Sequence, residues 1–287
     1  MKSSLSLVLL TCWLAGCDRH PNSSPSPSRL PPAAAAAPTV APTASEVAAS
    51  RPPAPAESGS ELYQRALALE GDGKLEEARV LLQPLADSAG ASDKVLDLLG
   101  EIDTKILFTA SPAPEKVDYT LAAGDSLGKL ARKFGTTVEL IKKSNNLTRD
   151  LIRIGDRLRI YQGHFAVVVN KATNELRLTD NGKFFKRYRV GTGEYSKTPV
   201  GQFQITSRIA NPPWWRPDGK TIPYGDPENI LGTHWLGINV LGYGIHGTWD
   251  TNSIGKQATA GCIRLLNDDI AELYTILPIG TVVVIRD

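Results

Sequence analysis

The chain has 287 residues, with 32 lysines and arginines against 30 aspartates and glutamates, which gives a formal net charge of +2. This nearly neutral balance excludes a protein that binds nucleic acid through a strong overall electric field. Two of the three cysteines lie within the first seventeen residues, so Cys262 is the lone thiol of the remaining sequence.

The N-terminus predicts export from the cytoplasm. Met1 and Lys2 supply positive charge, and the apolar run over residues 5–14 is too short to span a bilayer comfortably. The run ends in Leu14-Ala15-Gly16-Cys17, which resembles a bacterial lipobox. The resemblance implies removal of residues 1–16 as a signal peptide and a lipid on Cys17, which would hold an exported lipoprotein at a membrane, facing the periplasm or cell wall. The alternative is an ordinary export signal with an incidental Cys17.

Residues 17–59 predict a disordered tether. They are mostly Pro, Ala and Ser, with too few large apolar side chains to offset the entropy lost on ordering. A flexible coil of about forty residues spans about 35 to 40 Å. A lipid-anchored protein could therefore work well above its membrane.

Residues 60–108 predict a helical spacer. Leu62, Ala66 and Leu69 share one helical face, residues 71–73 break the pattern, and further helical segments follow. The stretch over residues 73–79 resembles half of a tetratricopeptide repeat. We expect a helical hairpin that packs on itself or on its neighbour, with docking of a protein partner as the alternative. Residues 109–116 are the following linker.

Residues 117–161 predict a strand, two helices and a second strand. Asp125 or Ser126 can cap the first helix, Gly135 can end it, and Thr136 or Thr137 can begin the second. The segment resembles the LysM module through Tyr119-Thr120-Leu121-Ala122-Ala123-Gly124-Asp125-Ser126-Leu127, Asn145-Asn146-Leu147 and Ile154-Gly155-Asp156-Arg157-Leu158. The resemblance implies binding to glycan that contains N-acetylglucosamine, such as peptidoglycan. The candidate contacts are Gly124, Asp125, Ser126, Leu127, Asn145 and Asn146, although the same residues also have roles in folding.

Residues 164–287 predict a mainly β domain, sandwich-like or barrel-like, with one short helix. The predicted strands cover residues 165–170, 175–179, 186–190, 201–207 and 281–285, and the helix covers residues 267–276. A turn is expected at residues 180–182.

An unpaired thiol is unusual in an exported protein, because such domains mostly pair their cysteines or avoid them. A buried Cys262 that packs as a small hydrophobe is the simplest explanation. A catalytic thiol is the other, and it needs a base, since a thiol with a pKa of about 8.5 is mostly protonated at neutral pH. His246 lies sixteen residues before Cys262, a spacing that permits a strand-loop-strand return.

Two motifs around these residues resemble the L,D-transpeptidase catalytic domain. They are Gly242-Tyr243-Gly244-Ile245-His246-Gly247-Thr248 and Gly261-Cys262-Ile263-Arg264-Leu265, with Thr198-Pro199-Val200-Gly201 and Gly232-Thr233-His234-Trp235 preceding them in order. The resemblance implies that Cys262 is the nucleophile and His246 the base. It also implies that the Gly247 carbonyl or the Thr259 hydroxyl orients the imidazole.

The remaining site candidates surround the nucleophile. Backbone N–H groups of Ala260, Gly261 and Cys262 suit an oxyanion. Arg264 either serves substrate carboxylates and the framework of the site or forms a surface ion pair. Ala260 departs from the family, in which many members carry a histidine or another large polar residue there, so reduced activity or altered substrate preference is expected. Trp215 and Tyr224 are candidates for substrate contact from the loop at residues 211–229, with ordinary packing as the alternative.

The resemblance implies a cell-wall enzyme that forms a Cys262 thioester on peptidoglycan stem tetrapeptides and cross-links two diamino acids. It requires neither a metal nor an organic cofactor. An L,D-carboxypeptidase or cross-link hydrolase would use the same nucleophile. A catalytically weak wall-binding scaffold lipoprotein is the alternative outside the enzymes.

Overall fold

The computed structural model describes residues 57–287. The predicted signal peptide, Cys17 and nearly all of the tether lie outside the described residues. Within residues 57–287, no helix is both long enough and apolar enough to cross a membrane.

The described part of the chain begins with a helical segment of three helices, α1 (Gly59–Gly71), α2 (Leu75–Ala86) and α3 (Asp93–Phe108). Ser58 and Glu61 form a reciprocal capping box at the start of α1: the Ser58 hydroxyl accepts from the Glu61 N–H, and the Glu61 carboxylate accepts from the Ser58 N–H at 2.7 Å. The predicted break between the first two helices is present, with Gly73 at a φ of 75°.

The next segment has the predicted strand-helix-helix-strand order: β1 (Lys116–Thr120), α4 (Leu127–Phe134), α5 (Val138–Ser144) and β2 (Arg157–Tyr161). Strands β1 and β2 pair antiparallel. Ser126 caps α4, Gly135 ends it at a φ of 64°, and Thr137 caps α5. The predicted LysM topology is confirmed.

The C-terminal part is mainly β, which confirms the predicted fold class. It contains β3 (Phe165–Asn170), β4 (Glu175–Asp180), β5 (Lys183–Arg189), β6 (Thr192–Gly193), β7 (Gly201–Ala210), β8 (Trp214–Trp215), β9 (Thr221–Ile222), β10 (His234–Ile238), β11 (Gly244–His246), β12 (Gln257–Thr259), β13 (Ile263–Arg264), α6 (Asn267–Ile276) and β14 (Val282–Arg286). Eight of these strands form one mixed sheet in the order β13-β11-β10-β7-β14-β3-β4-β5. The predicted loop at residues 211–229 contains the small hairpin of β8 and β9.

Strand β5 begins at Lys183, three residues earlier than predicted. Its register against β4 shifts between Leu178 and Thr179, and Phe184 and Phe185 are both buried. Phe184 packs among the helices, whereas Phe185 joins the core of the sheet. Two consecutive buried residues hide the alternation that marks a strand in sequence.

The helical segment covers the edge strand β5 of the sheet. Arg187 on β5 forms ion pairs with Asp93 and Asp97 on α3, at 2.5 and 2.8 Å. The Phe184 carbonyl accepts from the Gln83 side chain at 2.9 Å. An uncovered edge strand is a template for aggregation, so this packing protects the sheet. It agrees with the expectation that the segment packs on its neighbour.

The LysM segment also packs on the sheet domain. Leu140 of α5 is 1% exposed and belongs to the same apolar cluster as the buried residues of the eight-stranded sheet. The Thr137 hydroxyl donates to the Thr275 carbonyl, and Arg208 pairs with Glu139 at 3.0 Å. The LysM segment is thus part of the packed body.

Candidate active site

The site forms where β11 and β13 lie side by side at one edge of the sheet. The two strands are parallel, with Ile245 opposite Ile263 and His246 opposite Arg264. Both isoleucines are buried in the core. Since side chains alternate between the two faces of a strand, His246 and Arg264 occupy the other face. The fold therefore places the predicted imidazole on β11 and the predicted thiol in the turn directly before the neighbouring strand β13.

The His246 imidazole is buried, with 2% exposure, and its Nδ1 lies 2.6 Å from the Gly247 carbonyl oxygen. A carbonyl only accepts, so Nδ1 carries the proton and Nε2 is left free to take one. Burial lowers the pKa of His246 to about 4, against the opposing effect of the Gly247 carbonyl. The positive charge of Arg264 lowers it further. The imidazole is neutral at physiological pH.

The Cys262 thiol is partly exposed and lies 3.5 Å from the Gly242 carbonyl oxygen. Burial raises the pKa of Cys262 above its ordinary value, while the backbone of Gly244 and the charge of Arg264 oppose this rise. A raised thiol pKa beside a lowered imidazole pKa favours the neutral pair in the free enzyme.

Thr259 organises the turn that carries the thiol. Its hydroxyl donates to the Cys262 carbonyl at 2.7 Å and accepts from the Gly261 N–H at 3.1 Å. Of the two predicted orienting groups, the Gly247 carbonyl accepts a hydrogen bond from His246, whereas the Thr259 hydroxyl forms hydrogen bonds within its own turn.

The Gly261 N–H is therefore committed to Thr259, which corrects the expectation that it serves an oxyanion. Within residues 57–287, the N–H groups of Ala260 and Cys262 have no hydrogen-bond partner. Ala260 itself is exposed. These two N–H groups remain as the candidate oxyanion donors.

Arg264 is not the exposed partner of a surface ion pair. Its side chain is 12% exposed, and its Nη1 lies 3.8 Å from the Asp250 carboxylate. Its Nε is buried without a hydrogen-bond partner among the described residues. Its charge acts on both Cys262 and His246.

The two aromatic candidates on the loop at residues 211–229 are open to solvent. Trp215 is 61% exposed and Tyr224 is 41% exposed. Asn229 is buried and donates to the Pro212 carbonyl at 2.9 Å and to the Ile222 carbonyl at 3.2 Å, which holds the two ends of the loop together. Sequence analysis missed this residue, because an asparagine in a loop gives no signal of burial.

Most of the predicted glycan contacts have structural roles. Asp125 accepts from the Ala122 N–H and the Tyr119 hydroxyl, Ser126 caps α4, and Leu127 is buried. The Asn145 amide exchanges hydrogen bonds with the Arg159 backbone. Gly124 and Asn146 are exposed, at φ values of 84° and 54°.

No group of His, Cys, Asp and Glu side chains within residues 57–287 could hold a metal ion.

The reactivity of Cys262 is expected to depend steeply on pH. In a chain from residue 18 onward, whose sole thiol is Cys262, the alkylation rate by iodoacetamide should rise about tenfold per pH unit between pH 6 and 8, because only the thiolate reacts. The raised pKa of Cys262 moves the plateau to a higher pH than that of an ordinary thiol, and the pKa of about 4 at His246 leaves no inflection between pH 5 and 8. A rate that is constant from pH 5 to 7 would instead reveal a preformed thiolate–imidazolium pair.

Comparisons with known proteins match two segments of the chain. The family model described as the L,D-transpeptidase catalytic domain (YkuD) matches residues 164–285, and the LysM model matches residues 119–160. YqjB of Bacillus subtilis, provisionally assigned as an L,D-transpeptidase, is 41% identical over 42% of this chain and 70% of its own length. YkuD of the same species, with the same provisional assignment, is 31% identical over 58% of this chain and 98% of its own length. An L,D-transpeptidase structure from Mycobacterium smegmatis aligns with 47% of this chain and 65% of its own, at 20% identity and a TM-score of 0.38.

Proposed function

Because the chain belongs to the L,D-transpeptidase family, the enzymes that cross-link peptidoglycan, we propose that Cys262 is its nucleophile and His246 its general base. The observation that carries this proposal is the 2.6 Å contact between His246 Nδ1 and the Gly247 carbonyl. It leaves Nε2 as the proton acceptor, on the strand next to the one that Cys262 directly precedes.

In the proposed first step, Nε2 of His246 takes the Cys262 proton while the sulfur attacks the carbonyl of the L-centre of a diamino acid in a stem tetrapeptide. The oxyanion accepts hydrogen bonds from the Ala260 and Cys262 N–H groups. The imidazolium then gives its proton to the amine of the departing D-alanine, and a thioester on Cys262 remains.

In the second step, the amine of a neighbouring stem attacks the thioester and gives a proton to His246, and the thiol is regenerated. The product is a cross-link between two diamino acids. Arg264 supplies positive charge beside the reacting atoms, and the exposed Trp215 and Tyr224 are available to cover the bound stem. Water in place of the amine would give carboxypeptidase activity.

The domain division and the cellular placement are also proposals. Residues 1–16 would be the signal peptide, Cys17 the lipidated residue, and residues 17–59 the tether to the membrane, with the helical spacer, linker, LysM and catalytic domains at 60–108, 109–116, 117–161 and 164–287. The two folded modules imply peptidoglycan binding. Tethering and glycan binding together raise the concentration of the enzyme at its substrate. A protein partner of the helical segment would meet α1, since α2 and α3 both contact β5.

The test incubates purified chain with tetrapeptide muropeptides and follows D-alanine release, the Cys262 thioester and cross-linked dimers by mass spectrometry. Cys262→Ala should abolish release, and His246→Gln should slow it by about 10² to 10⁴-fold through loss of the base. His164→Gln is the matched control, because His164 is exposed and its ring nitrogen lies 3.2 Å from the Asn181 side-chain oxygen, away from Cys262 in sequence.

Dimers in the presence of acceptor stems identify a transpeptidase, whereas tripeptides without dimers identify a carboxypeptidase. If release by the wild type equals that by Cys262→Ala, the proposed nucleophile is wrong.

A further inference from the structure

Trp235 stands directly beside His246 in the sheet. The antiparallel register of β10 and β11 places these two residues opposite each other. Residues in such a pair project from the same face, with Cβ atoms about 4.5 to 5.5 Å apart. The indole and imidazole centroids are 5.9 Å apart and their planes differ by 21°, which is an offset stack.

Two glycines leave the space that the indole occupies. Gly237 and Gly244 are opposite each other in the same strand pair, two residues along from Trp235 and His246. A Cβ at Gly244 would lie 2.6 Å from the indole Cζ2, and a Cβ at Gly237 would lie 2.8 Å from the indole Nε1. The two strands thus carry no side chains at this pair of positions, and the indole packs directly on their backbone.

The imidazole is consequently enclosed from two sides. Strand β10 with the indole flanks β11 on one side, and β13, which follows Cys262, flanks it on the other. The Gly247 carbonyl accepts from the Nδ1 edge of the ring at 2.6 Å, and the Trp235 indole stacks on the ring face. The indole therefore restricts tilting of the imidazole about its hydrogen-bonded edge.

We propose that Trp235 is a positioning residue, whose indole holds the His246 imidazole toward Cys262 and favours the imidazolium that forms when the thiol proton is transferred. This inference rests on the proposed role of His246. The imidazolium is penalised by burial, and the negative face of an aromatic ring stabilises a nearby cation. The indole therefore assists both the geometry and the charge of the base.

The experiment compares Trp235→Phe and Trp235→Leu in the full chain by kcat and KM for D-alanine release. Trp235→Leu should lower kcat about 10²-fold, the cost of a base displaced by about 1 Å, with little change in KM. Trp235→Phe keeps an aromatic face and should retain most of the activity. Measurements are made well below the unfolding temperature of each variant.

Ile205→Ala is the control for lost stability, since Ile205 is fully buried on β7 in the sheet core. It should keep kcat near the wild-type value. The inference is overturned if Trp235→Leu keeps wild-type kcat, if Trp235→Phe is as slow as Trp235→Leu, or if Ile205→Ala is equally slow. Retained activity in Cys262→Ala would defeat the proposed function itself, so the two failures are distinguishable.

Discussion

Substitution Gly261→Ala is expected to remove most of the transpeptidase activity while leaving the chain folded. Gly261 has a φ of 134°, where a side chain is strained. A Cβ there would lie 2.6 Å from the Tyr243 ring and 3.1 Å from the Lys197 carbonyl oxygen. Relieving these close contacts requires the turn to shift, and Cys262 shifts with it. A shift of about 1 Å at the nucleophile should lower kcat about 10²-fold, measured by D-alanine release.

Gly182→Ala is the matched control for backbone strain. Gly182 has a φ of 79° in the turn between β4 and β5, and a Cβ there would meet nothing within 4 Å. It should cost about 1 kcal/mol of stability from strain alone and leave kcat unchanged. Equal activity of the two variants would show that the turn at Cys262 tolerates displacement, and the proposed oxyanion donors would then need revision.

The parts of the fold that depend on local chemistry were predictable from the sequence. Ser126, Gly135 and Thr137 end or begin helices through their own side chains or backbone freedom, and the structure uses all three. The start of β5 was not predictable in the same way. It depends on Phe184 facing the helices while Phe185 faces the sheet, a division that only tertiary packing creates.

The same distinction applies to the site. The sequence motifs identify His246 and Cys262 as a candidate pair, but the spacing leaves the orienting group undecided between Gly247 and Thr259. The choice depends on how the turn at Thr259 closes on Cys262. The place of Trp235 depends on the register of β10 against β11, and strands of five and three residues carry too little pattern to reveal it.

The docking of the LysM segment has an expected energetic consequence. Substitution Leu140→Ala should destabilise the catalytic domain by about 2 to 5 kcal/mol, although Leu140 lies outside it in sequence, because it removes a buried side chain from the core cluster of the sheet. Apart from Trp13 in the predicted signal peptide, every tryptophan lies between residues 214 and 249. Tryptophan fluorescence during urea unfolding therefore reports on the catalytic domain alone, and its midpoint should fall.

Leu130→Ala is the appropriate comparison. Leu130 is equally buried but belongs to the separate apolar cluster within the LysM segment. Its loss should weaken the LysM segment, followed by circular dichroism, and lower the fluorescence midpoint less than Leu140→Ala does. An unchanged fluorescence midpoint in Leu140→Ala would mean that the catalytic domain does not depend on the docked module. A lowered one would mean that the LysM segment and the catalytic domain stabilise each other as one folded body.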